Sequence, residues 1–129
     1  MLVDTDESKF HVGEKWSYHA RPGEERSSLT IVKVESSPKL GVIVHVSLDG
    51  LRIKSAHGSS GFSETISHMP FAEAAMENSV TTLAVAKAPL PPFEEGYREW
   101  RRAFDAGKGG IFTITVAEGV DFIETALSN

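Results

Sequence analysis

SLTIVKVESSPKLGVIVHVSLDGLRIKS, residues 28–55, is the stretch that decides the fold. Two apolar alternations, Leu29–Glu35 and Val42–Leu48, flank the loop signal SSPKLG. A shorter run follows Asp49-Gly50, a dipeptide that suits a two-residue type I′ hairpin because both central positions there need positive φ. On that hairpin Leu48 faces Leu51, Val46 faces Ile53 and His45 faces Lys54. Opposing Val34 with Val42 registers the first pair of strands. One face then carries Val32, Val34, Val42, Val44, Val46, Leu48, Leu51 and Ile53, and is the expected core. The opposite face mixes Leu29, Ile31 and Ile43 with Lys33, His45, Ser47, Arg52 and Lys54. This register assumes no bulge, which would reverse the faces locally.

Working outward, Trp16–Arg21 reads as a preceding strand, ended by the turn dipeptide Pro22-Gly23. Residues 1–9 are polar and charged, and are expected to be a frayed tail before a single domain over 10–129. Phe62–Ser67 reads as a fourth antiparallel strand. A helix is expected from about Pro70, with Ala72, Met76, Val80 and Leu83 at helical spacing. Its second half, SVTTLAV, is β-branched and also fits a strand; helix is the preferred reading. Pro89, Pro91 and Pro92 impose an extended connector. Phe93, Tyr97, Trp100 and Phe104 then form one stripe of a helix, stopped at Gly107. Ile111–Ile114 reads as a short strand. Thr115 and Glu118 form a capping box opening a last helix with Val116, Val120, Ile123 and Leu127 inward. Strands first and helices later imply an α+β fold: an N-terminal antiparallel meander of about four strands, plus a late fifth, packed by two to three helices from the C-terminal half.

Composition removes several functions. The chain has 129 residues and no cysteine, so thiolate chemistry, disulfides and iron–sulfur ligation are excluded. Its formal charge of −5 makes nucleic acid a poor partner. No apolar run approaches the ~20 residues of a membrane span. MLVDTDESKFHVGEKW is acidic and lacks the apolar core of a secretory signal, so a cytoplasmic location is expected.

No catalytic motif stands out. The five histidines His11, His19, His45, His57 and His68 show no metal-ligand spacing. GSSG at 58–61 is not a nucleophile elbow, and Gly107-Lys108-Gly109-Gly110 lacks phosphate-loop spacing. No cofactor, metal or catalytic residue is assigned, and the chain reads as leaning away from an enzyme. Lys33, His45, Arg52 and Lys54 form the candidate binding face, half basic and half apolar, against the plainer reading of a wet sheet face. Tyr97 and Trp100 are candidate interface aromatics, weighed against simple core packing. The leading expectation is a small non-catalytic protein-binding or accessory domain, of the inhibitor or immunity type. The alternatives are a domain or enzyme with a pocket for an anionic small molecule, and a structural homodimer.

Overall fold

The computed structural model describes residues 1–54 and 62–128. It is an α+β fold built on a mostly antiparallel sheet. The strands are β1 (Val3–Asp4), β2 (Lys15–Tyr18), β3 (Ser28–Ser37), β4 (Gly41–Asp49), β5 (Ile53–Lys54), β6 (Phe62–Ser63), β7 (Ile66–Ala72) and β8 (Val80–Val85). The helices are α1 (Glu73–Ser79), α2 (Glu94–Asp105) and α3 (Val116–Ser128). The main sheet runs β7-β4-β3-β2-β8, with β1 also on β3, while β5 and β6 pair separately. The chain start is therefore tied down, with Leu2 buried and Val3 opposite Ser36.

Residues 28–49 form the two long strands that the alternation predicts, but in a different register. The strands run on into SSPKLG, so Ser36 faces Val42 and Val34 faces Val44. Between Ile31 and Lys33 the register shifts at Val32. That extra residue turns Leu29 and Ile31 onto the same side as Val34, and both are fully buried in the core with Val44, Val46 and Leu48. Lys33 directly opposes His45 on the other side.

Asp49-Gly50 is not a hairpin tip. β4 takes β7 as its second neighbour, and the chain leaves the sheet at Gly50. Gly50 has φ of 68°, and a Cβ there would lie 3.0 Å from Ser27 Cα. A glycine is needed for this exit as much as for a hairpin. Leu51 and Ile53 are nonetheless buried in the core. The GSSG stretch at 58–61 lies outside the described residues.

Pro70 is in a strand, at the sheet edge where a missing N–H is tolerated. The following helix is one short element ending at Ser79, and the rest of SVTTLAV, Val80–Val85, is the strand β8. The hydroxyl of Ser79 marks the change: it donates to Ala75 O at 2.7 Å and accepts from Val116 N at 2.9 Å. α1 carries the chain between the two edges of the sheet, and its Ala75 and Met76 join the core. Six residues of β8 span four of β2, through two register shifts. The strand expected at Ile111–Ile114 is a single parallel bridge, Phe71 to Phe112. The capping box is formed: Glu118 N donates to Thr115 Oγ1 at 3.2 Å, and Thr115 N donates to Glu118 Oε1 at 3.0 Å. α3 buries Val116 and Val120, while Phe122 and Leu127 are exposed. α1 and α3 thus cover the apolar face of the sheet.

Candidate functional site

The mixed face is not open. α2 lies across it, with Tyr97 and Trp100 of its aromatic stripe against His45. No α2 residue is fully buried, and its grip is largely polar. Tyr97 donates its hydroxyl to Glu35 Oε2 at 2.7 Å, and Arg101 donates to the Tyr97 oxygen at 3.0 Å. The Trp100 ring stands edge-on to His45 at 4.9 Å between centroids, and its indole N–H donates to Gly110 O. Gly96 brings the helix close: a Cβ there would meet His68 Cβ at 3.1 Å and Ser67 Oγ at 3.2 Å.

Beneath the helix, β3, β4 and β7 align Glu35, His45 and His68. His45 is 0% exposed and Glu35 2%. His45 Nε2 lies 2.8 Å from Glu35 Oε1, and His45 Nδ1 lies 2.8 Å from His68 Nε2. Burial opposes the charge on Glu35, but hydrogen bonds from His45 and Tyr97 outweigh it and hold the carboxyl below its usual range. An ionised carboxylate only accepts, so His45 Nε2 donates to it. Neutral His45 must then accept at Nδ1, and His68 Nε2 donates. Burial keeps both rings neutral: it lowers His45 against the pull of Glu35, and together with neighbouring His45 it brings His68 to about 4. Tyr97 is pushed up to about 12 by burial and by Glu35. Lys33 sits at the rim, paired with Asp4 at 2.9 Å and 5.2 Å from the Tyr97 ring centroid.

The four residues of the expected binding face are divided. Lys33 and His45 lie on the face under α2, and His45 is sealed beneath it. Arg52 and Lys54 belong to the separate β5 region beside α3. There the Arg52 N–H donates to Glu24 Oε2 at 2.7 Å, and the Lys54 N–H donates to Glu124 Oε2 at 2.6 Å. Nearby, Arg21 pairs with Glu24, Asp121 and Glu124. Tyr97 and Trp100 are half-buried against the sheet. Among the described residues no three metal-ligating side chains converge. Glu35 and His68 were missed, because nothing in a local pattern says that β7 pairs with β4.

This face is open at both ends of α2: a hollow of about 430 Å³ lies between Phe104, Gly107 and the 37–40 turn, and a trough lies beside the start of the helix. Two lobes of about 530 and 300 Å³ meet at Ser67 and Pro92. The larger lies at the start of α2, against Phe93, Glu94, Glu95, Gly96 and Arg98. The smaller lies on the sheet, against Thr30, Ser47, Leu48, Asp49, Thr65 and Pro91. Thr30 is only 6% exposed, yet its hydroxyl has no hydrogen-bond partner among the described residues. His45 and His68 line neither lobe.

Compared with protein-family models, with curated proteins and with solved structures, the chain matches none.

Proposed function

We propose that this chain is a small non-catalytic protein-binding domain, and that its partner docks in the trough formed by β3, β4, β7, the proline connector and the start of α2. The observation that carries this reading is the shape and lining of the trough. Two neighbouring open lobes that share Ser67 and Pro92 in their walls suit an extended segment of another chain better than an enclosed small molecule. Pro91 and Pro92 form a stiff wall that loses little freedom when a segment docks against it. The polar chain Glu35–His45–His68 supports the same reading by its position. It lines neither lobe, and every nitrogen and oxygen in it that is sealed from solvent is satisfied internally, so it acts as the fastening of α2. The trough replaces Lys33, His45, Arg52 and Lys54 as the docking surface, since those residues do not share an open face.

The test is site-specific photo-crosslinking in extract of the source cells. A photoreactive residue at exposed Ser67 is expected to yield a discrete adduct, absent when the same residue is placed at exposed Thr125 on α3. Identical adducts from both positions, or none from Ser67, would overturn the assignment.

A further inference from the structure

We infer that the sheet-side lobe of the trough is a subsite for a primary ammonium group, the lysine side chain of an extended segment of the protein partner. This rests on the protein-binding reading above and names the chemistry its partner must bring.

The lobe is mostly apolar, with a few hydroxyls, one carboxylate and no cationic side chain in its lining. Its floor is Thr30, more than nine-tenths buried with a hydroxyl that no described residue engages. That hydroxyl is within reach of solvent, since no sealed side-chain oxygen among the described residues lacks a partner, so an ammonium that engages it takes the place of water. Ser67 at the rim offers a second hydroxyl with no partner among the described residues. Ser47 donates to Ile66 O at a long 3.4 Å, which leaves its oxygen free to accept. Asp49 closes the end. Its Oδ1 accepts from the Ser28 hydroxyl at 2.8 Å and faces the Ser28 N–H at 3.3 Å. Its Oδ2 lies 3.3 Å from Lys15 Nζ. The carboxylate therefore already holds one ammonium, on a residue that directly opposes Thr30 across β2 and β3. Leu48, Pro91 and Pro92 supply the apolar wall along which a four-carbon stem lies.

Other chemistries fit less well. An anion would meet Asp49, with no lysine, arginine or histidine in the lining. A guanidinium wants two coplanar acceptors on one group, whereas hydroxyls on three strands offer separate points suited to the three diverging donors of an ammonium. Along both lobes the lining carboxylates are Asp49, Glu94 and Glu95, against the single cation Arg98. That balance draws a basic segment.

The experiment is an amide-resolved NMR titration of the full chain with the capped tripeptide acetyl-Gly-Lys-Gly-amide, beside the same peptide carrying norleucine. The lysine peptide should shift the amides around Thr30, Ser47 and Ser67, and bind at least tenfold more tightly than the norleucine peptide. Thr30→Val should weaken the lysine peptide severalfold and leave the norleucine peptide unchanged. Lys15→Met should tighten the lysine peptide by releasing Asp49. Should Thr30→Val fail to fold, Ser67→Ala serves in its place, on an exposed side chain that makes no hydrogen bond among the described residues. Equal binding of the two peptides, shifts mapping elsewhere, or indifference to these substitutions would overturn the inference. If Ser67 still yields its discrete adduct while the peptides tie, the docking surface stands and only the ammonium subsite falls.

Discussion

The two faces of the sheet are held by opposite means. On one, Leu29, Ile31, Val34, Val44, Val46 and Leu48 pack beneath α1 and α3, and stability comes from removing apolar area from water. On the other, α2 rests on Glu35, His45 and His68 through hydrogen bonds and ring edges. An apolar face is tolerant of detail because dispersion and burial have little direction. A polar face is exacting, because every buried donor needs its acceptor. The comparison teaches that α2 is placed by specificity more than by burial.

The harshest way to break the contrast is a charge on the apolar side. Val44→Asp puts an unpaired carboxylate at a fully buried position, and should cost about 4 kcal/mol or more, unfolding the chain; far-ultraviolet circular dichroism would show it. A folded variant would contradict the assignment of faces. On the polar side, Glu35→Ala strands the His45 N–H and the Tyr97 hydroxyl and should cost about 3 kcal/mol in urea denaturation. Trp100 fluorescence should change with it, since α2 loses its central acceptor.

Acid separates the faces without mutation. His68 titrates near 4 in the folded protein against an ordinary 6.5. Between those values the unfolded chain binds a proton that the folded chain does not. Stability is therefore full above about pH 6.5 and falls as the pH drops toward 4. The loss should be on the order of 2 kcal/mol between pH 7 and 4.5, and smaller in a His68→Leu variant; equal slopes in the two proteins would remove the histidine pair as its cause. Glu35, held below its usual range, adds to the loss in the same direction at the acid end. The smallest effect is local: Thr115→Ala removes the α3 cap and should cost about 1 kcal/mol, lowering the melting temperature by a few degrees.

Local pattern and long-range pairing explain what was readable in advance. Val34, Val44, Val46, Leu48, Leu51 and Ile53 are core residues as the alternation predicts, because side-chain period survives any choice of partner. The cap at Thr115 and the stripe on α2 are likewise local. The bulge at Val32 has no residue signature, and it moved Leu29 and Ile31 across the sheet. Asp49-Gly50 promised a hairpin and is a bend out of the sheet instead, because the place beside β4 is taken by Ile66–Ala72, which is distant in the chain. The polar site suffered most: His45 was visible, while Glu35 and His68 acquire meaning only when three strands and a helix meet. The hydroxyl of Thr30 carried no signal at all.

The doubled irregularity of β8 has a bearing on solubility. VTTLAV is uncharged and β-branched, and at the rim of a sheet such a segment invites another chain to add on. Because six of its residues are spread over four of β2, its outward amides and carbonyls do not keep the even spacing that an incoming strand must match. The kinks act as a guard against fibre growth, so deleting Ala84, which removes the shift between Leu83 and Val85 and leaves the one between Val80 and Leu83, should raise the tendency to polymerise, read as growth in light scattering.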